Sequence, residues 1–224
     1  LAGAVAHAHS NKIVHRDLKP ANVLIGGGSG VYLTDFGLAK SLGPALRASL
    51  DLELSLTGGL IGTACYMAPE QARGDSSEQG YTTDIYGLGA LLYHCLTGRP
   101  PFVHETLSGI LKLVEGEDPI PPRRLNPNLP IGLQSICLKC LEKQPADRYA
   151  SVSDLAADLA RFLDGKETEA RPQPMRVRLF RWARRQPVAA GLAGALIVAV
   201  AGGMGGITWQ YRKTLGAYGR LAEM

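Results

Sequence analysis

The chain has 224 residues, 46% of them hydrophobic and 20% charged, with 24 basic and 20 acidic side chains. That length holds one ordinary globular core with an appendage, and the composition excludes a disordered chain. Four cysteines exclude a disulfide scaffold. The net charge of +4 is unevenly spread. Residues 1–165 carry 14 basic and 17 acidic side chains, residues 166–187 carry 7 and 2, and residues 188–224 carry 3 and 1. The basic surplus lies in one short stretch, so a nucleic-acid-binding domain with its own basic face is disfavoured, and no nucleic acid is expected as a partner.

In chain order, Leu1 to Ser10 reads as the end of a helix. His15 to Asn22 packs a cation, a carboxylate, an ammonium and an amide into eight positions. Pro20 bars a regular helix interior there, so this is a loop of converging polar groups. Val23 to Ile25 and Val31 to Leu33 read as short strands around a turn at Gly26 to Gly30. Such a hairpin returns the chain to its start and sets Asp35 beside Asn22. Two hard oxygen ligands facing one cleft suit Mg²⁺, which accepts one or two protein oxygens and completes its shell with phosphates and water. Asp17 is left free as a base or orienting group, and Lys19 is a point charge suited to a phosphoryl oxygen.

Asp84 to Thr97 is an almost wholly apolar helix stopped by Gly98, Pro100 and Pro101. Glu105 to Val114, Pro130 to Lys143 and Ser151 to Leu163 follow as helices with apolar stripes. Ser151 and Asp154 have the spacing of a capping box. Cys137 and Cys140 form a CxxC within an apolar-striped helix; with no second pair they read as core residues. His7, His9, His94 and His104 have no ligand spacing and read as helix-face or core residues.

Gly165 to Pro187 is polar, basic and proline-broken, as a linker would be. Val188 to Ile207 holds 20 residues without a charge. As a helix it would reach about 30 Å, the thickness of a bilayer's hydrocarbon core. Arg176, Arg178, Arg181, Arg184, Arg185 and Trp182 crowd its N-terminal flank; Arg212, Lys213, Trp209 and Tyr211 sit beyond it. The more basic flank stays in the cytoplasm. The expected protein is single-pass, with residues 1–187 cytoplasmic and the C-terminus extracytoplasmic. The arginines at 171–185 are a topology signal and also attract anionic lipid head groups, worth about 1 kcal/mol each near the surface. Gly202 and Gly206 form a small-xxx-small pair that could join two copies as a homodimer.

HRDLKPAN, DFG, GTACYMAPE and DIYGLGALLYHCLTGRPPF, in this order and spacing, resemble the eukaryotic-type protein kinases, specifically the bacterial receptor-like Ser/Thr members. The resemblance covers about residues 1–163. It implies an α+β protein-kinase-like fold, here mainly the α-helical large lobe, followed by one transmembrane α-helix. The corresponding division is kinase large lobe 1–165, basic juxtamembrane linker 166–187, transmembrane helix 188–209 and the start of an extracytoplasmic region, 210–224.

By position, Asp17 resembles the catalytic-loop aspartate that accepts the substrate hydroxyl proton. Asn22 and Asp35 resemble the two magnesium ligands, so ATP and Mg²⁺ are implied. Lys19 resembles the Ser/Thr-specific lysine that steadies the transferring phosphoryl group, and Thr63 the threonine that bonds both Asp17 and Lys19. Arg16 resembles the arginine that pairs with a phosphorylated activation-loop residue. The loop from about Leu38 to Tyr66 offers Ser41, Ser49, Ser55 and Thr57. Thr57 stands nearest the position usually phosphorylated; the alternative is a solvated loop threonine. Glu70 and Arg148 resemble a buried ion pair, and Asp84 the helix aspartate that holds the catalytic loop's backbone.

These residues include no glycine-rich phosphate loop before a strand, no VAIK-like lysine and no αC glutamate, the parts of the family's small lobe. The expected function is a membrane-anchored Ser/Thr protein kinase acting on protein hydroxyls, with little activity from these residues alone. The competing reading is a membrane-tethered, pseudokinase-like interaction scaffold, against which the presence of Asp17, Lys19, Asn22, Asp35 and Thr63 argues.

Overall fold

The computed structural model describes residues 1–28, 30–36 and 59–170, with isolated helical positions at 191, 192, 195, 199, 200 and 204. The chain divides into two compact units, Leu1–Pro172 and Gln173–Met224. Described elements of the first unit are helix α1 (Ala2–Ser10), strands β1 (Val23–Ile25) and β2 (Val31–Leu33), and helices α2 (Gly59–Ala64), α3 (Pro69–Arg73), α4 (Tyr81–Thr97), α5 (Leu107–Gly116), α6 (Pro122–Leu125), α7 (Ile131–Cys140) and α8 (Val152–Leu163).

Helix α4 is the axis of the unit. Ten of its residues, including every one from Thr83 to Leu91, are buried, as expected for a helix apolar on all sides. Ile85, Leu88 and Leu91 pack with Val5, Leu18, Ile136, Cys140, Tyr149, Val152 and Leu155. A second face joins Tyr86, Ala90 and Tyr93 to Ala68, Cys137 and Leu141. Two mid-helix glycines cost helix propensity, about 1 kcal/mol each, and their reason is close approach. A Cβ at Gly87 would lie 2.8 Å from the Leu18 Cβ, and one at Gly89 would overlap Cys140. The polar loop before β1 thus sits directly on α4.

The expected CxxC pair lies in this core: Cys137 and Cys140 are both 0% exposed, and burial pushes both thiols well above their ordinary value. A third cluster gathers Ala64, Cys65, Ala72 and Phe102 against Ile110 and Val114 of α5.

The hairpin forms at the expected residues, with Val23 opposite Leu33, Leu24 opposite Tyr32 and Ile25 opposite Val31. Its turn is closed by Gly26 N–H to the Gly30 carbonyl at 2.8 Å. Most expected helices shift by a residue or two at their ends, and two shift by three. Helix α4 begins at Tyr81, not Asp84; Gly80 N–H is capped by the Thr83 hydroxyl at 3.1 Å, which leaves Asp84 free to face inward. Helix α7 ends at Cys140, and the chain then turns through a 3₁₀ segment, Pro145–Asp147. The Ser151 capping box is present: Asp154 N–H donates to Ser151 Oγ at 3.1 Å, and Ser151 N–H to Asp154 Oδ2 at 3.0 Å. Helices α2, α3 and α6 have no counterpart in the expectations.

In the second unit the six described positions are helical. Among the described residues no helix is long and apolar enough to cross a membrane. The 171–185 arginines, Gly202 and Gly206 lie outside the described residues, as do most of 188–209.

Candidate active site

The site grows from one buried carboxylate. Asp84, 1% exposed, takes three hydrogen bonds: from His15 N–H at 2.8 Å, from Arg16 N–H at 2.7 Å and from His9 Nε2–H at 2.8 Å. A buried carboxylate is tolerated where its lone pairs are filled in this way. Asp84 thus grips the backbone of the polar loop, as expected. Its third partner, His9, is one the sequence reading missed.

Arg16 adopts a left-handed backbone, φ 63°, which costs a non-glycine residue about 1–2 kcal/mol. The strain is held from both sides: Asp84 takes its N–H, and Gln71 Nε2–H donates to its carbonyl at 2.7 Å. Gln71 is a second contributor not foreseen, and it ties α3 to the loop. The Arg16 Nε is buried with no hydrogen-bond partner among the described residues.

His15 is fully buried. Asp17 N–H donates to its Nδ1 at 3.2 Å, so its other nitrogen carries the hydrogen and donates to the Thr34 carbonyl at 3.0 Å. Its ring lies 4.7 Å from that of Phe36. One imidazole therefore joins the polar loop to the end of β2.

Asp17, Lys19, Asn22 and Thr63 come together. Lys19 Nζ lies 2.9 Å from Asp17 Oδ2 and donates to Thr63 Oγ1 at 3.3 Å. Asn22 Nδ2 donates to the Asp17 carbonyl at 2.7 Å and to Asp17 Oδ2 at 3.1 Å. Asp17 Oδ2 is thereby occupied, while Oδ1 accepts nothing among the described residues. Asn22 is 4% exposed, and with its nitrogen committed, its Oδ1 is the atom left for a ligand. Thr34 N–H bonds the Asn22 carbonyl at 3.0 Å, which puts Asp35 one residue from Asn22's backbone partner. Asp35 is exposed, with φ 54°. An amide oxygen and an exposed carboxylate are hard donors, and this set fits Mg²⁺. Thr57 and the loop serines lie outside the described residues.

Below the site, Glu70 and Arg148 form the expected ion pair, with both side chains fully buried. Arg148 Nη1 and Nη2 each donate to one Glu70 oxygen at 2.8 Å. Its remaining donors reach the carbonyls of Thr82, Glu142 and Lys143 at 2.8, 2.9 and 3.2 Å, so all five N–H groups are used. Thr83 Oγ1 adds a bond to Glu70 at 2.9 Å. Burial pulls the Glu70 carboxyl upward, but the bond and charge of Arg148, with Thr83, hold it below its ordinary value. Next to α3, Tyr66 donates to His94 Nδ1 with the rings stacked. Burial, then the thiols of Cys65 and Cys95, push the Tyr66 hydroxyl up to about 12.

Residues 1–159 match the protein kinase domain. The serine/threonine-protein kinase PknB of Mycobacterium tuberculosis is 40% identical over 167 residues, 75% of this chain and 26% of that protein. Its namesake in Mycobacterium leprae is 38% identical over the same shares. A probable serine/threonine-protein kinase PknB of Corynebacterium glutamicum is 37% identical over 163 residues, 71% of this chain and 24% of that protein. The chain thus spans about a quarter of the length of these curated relatives. With a site gripped by Asp84 and a match running from Leu1 into α8, the chain belongs to the protein kinase domain family.

Proposed function

We propose that the protein is a Ser/Thr protein kinase that moves the γ-phosphoryl group of ATP to serine or threonine hydroxyls of proteins. One observation carries this reading: among the described residues Asp17 Oδ1 accepts no hydrogen bond, while Lys19 and Asn22 hold Oδ2. Oδ1 is the oxygen that orients the attacking hydroxyl and takes its proton. Lys19, steadied by Thr63, sets a positive charge beside that oxygen, where negative charge grows on the transferring group. Asn22 Oδ1 and the Asp35 carboxylate are the residues that would hold Mg²⁺, which when bound offsets phosphate charge. The rest is positioning, which the Asp84 and His15 contacts supply. The Arg16 guanidinium is the group that a phosphate on Thr57 would engage.

The exposed apolar hairpin residues Leu24, Ile25, Val31 and Tyr32 are what a nucleotide base and a small lobe would cover, so these 224 residues alone turn over little. In the same reading the run 188–207 is a single span with the catalytic residues on the cytoplasmic side, anionic lipid meets the 171–185 arginines, and Gly202 and Gly206 pair two copies.

The test joins this chain behind the small lobe of a mycobacterial relative and follows Mg·ATP-dependent phosphorylation of a protein substrate. Transfer is expected, lowered by about 10²–10⁴-fold in Asp17→Asn. A joined protein that binds Mg·ATP and transfers nothing would favour the scaffold reading instead.

A further inference from the structure

The end of the first unit is clamped. Asp158 of α8, 1% exposed, accepts the Tyr149 hydroxyl at 2.6 Å and the N–H groups of Glu169 and Ala170 at 2.6 and 3.0 Å. The segment 165–170 is thereby drawn against the start of α7. Gly132 permits this, since a Cβ there would come within 3.3 Å of Thr168 Cγ2. Between segment and helix lies a groove of about 460 Å³, lined by Pro130, Ile131, Ser135, Phe162, Lys166 and Thr168.

Apolar side chains stand in water around this exit. Ile131 on the groove is 49% exposed, Leu125 is 38% exposed, and Leu163, one residue past Phe162, is 82% exposed. Single exposed apolar residues are ordinary; here the neighbouring helix α6 also carries two exposed arginines. Helix α6 is tied to the first turn of α7 by Arg123 N–H to Gln134 Oε1 at 3.0 Å. Arg123 and Arg124 are exposed and form no ion pair among the described residues. Arg161 and Lys166, by contrast, are neutralised by Glu169 and Asp164, and Glu167 also lies on the groove. Beyond Ala170, residues 171–187 carry six arginines and no acidic residue before the uncharged run begins at Val188. Those 17 residues reach about 60 Å at most when extended.

We propose that this face, Arg123 and Arg124 with Ile131 and Leu163, docks on an anionic bilayer surface, the arginines at the head groups and the two aliphatic side chains in the interface. The proposal rests on the single-span reading above. A bilayer is the occupant these features fit because apolar tips beside cations that form no ion pair among the described residues are what an interfacial surface presents, and because the residues that follow in the chain, 171–187, carry six arginines and no acidic residue.

The test uses the full chain with Cys95→Ser and Leu163→Cys, labelled with a polarity-sensitive fluorophore. Cys65, Cys137 and Cys140 are at most 7% exposed and stay unlabelled, and Leu163 is too exposed for its loss to unfold the unit. The protein is reconstituted into vesicles of phosphatidylcholine with phosphatidylglycerol, or of phosphatidylcholine alone, each with chain-brominated lipid. Expected are flotation with both vesicles, and a blue shift with loss of emission in the anionic ones, reversed by Arg123→Glu with Arg124→Glu. A chain that floats while its label emits as in water overturns the docking and spares the span. A label shielded from water without bromine quenching points to a protein partner and also overturns it. A chain that does not float removes the single-span reading, and the docking with it.

Discussion

Replacing Arg148 by Met tests the account of the core most sharply. The guanidinium is fully buried and spends two donors on Glu70 and three on backbone carbonyls. Methionine fills much of the volume but leaves a carboxylate in apolar surroundings, a loss of about 3–5 kcal/mol for breaking a buried pair. Against a total stability of about 5–15 kcal/mol, that lowers the melting temperature by about 6–20 °C, taking about 2–4 °C per kcal/mol for a domain of this size.

The pH dependence should also change sign. In the native protein the Glu70 carboxyl lies below its ordinary value of 4.5. Its contribution is therefore complete above 4.5 and lost as pH falls through the lower folded value. Without Arg148, burial is the largest remaining influence and raises the carboxyl above 4.5. The variant then gains stability from acid and loses it as pH rises through the raised folded value. Thermal unfolding followed by circular dichroism between pH 2 and 8 reads both effects. Arg148→Met with Glu70→Gln should recover part of the loss, because no charge is left stranded. A loss below about 1 kcal/mol, or a variant that acid destabilises as it does the native protein, would refute the reasoning.

Other outcomes follow from other contacts. Asp84→Ala strips the partners from His15 N–H, Arg16 N–H and His9; hydrogen exchange should speed up at those two amides far more than at the hairpin. Gly87→Ala puts a Cβ 2.8 Å from Leu18, so the overpacking cost of about 1–3 kcal/mol should exceed the helix-propensity gain of about 1 kcal/mol, seen as a lower midpoint in urea. With Ellman's reagent one thiol, Cys95, should react quickly, while Cys137 and Cys140, buried and with thiols pushed upward, react only on unfolding. Asp158→Ala should expose the bond after Lys166 to trypsin, a bond cut more slowly in the native protein.

Local patterns were legible because local chemistry makes them. The hairpin declared itself through a glycine-rich turn between apolar triplets, and Ser151 with Asp154 through capping spacing. Asp17, Lys19 and Asn22 were legible as a cluster because a proline-broken polar loop followed by a tight hairpin has few ways to fold. What stayed hidden depended on distant partners. His9 looked like an ordinary helix-face residue, since its partner Asp84 is 75 positions away. Nothing in its local pattern marks Gln71, which holds the Arg16 carbonyl 55 positions back. Asp84 was legible from the resemblance as the aspartate that holds the loop's backbone; what differed was its place in the helix, which begins at Tyr81 and not at Asp84. Asp158 and Tyr149 drew no notice, as neither contributes to the polar cluster.

The Asp158 clamp has a mechanical consequence. A pull arriving along residues 171–187 meets two hydrogen bonds, from Glu169 and Ala170, that converge on one carboxylate and so share the load until both give way. The same carboxylate holds Tyr149, whose neighbour Arg148 grips Glu70. A load on the end of the unit is thus passed to the buried ion pair next to the polar loop.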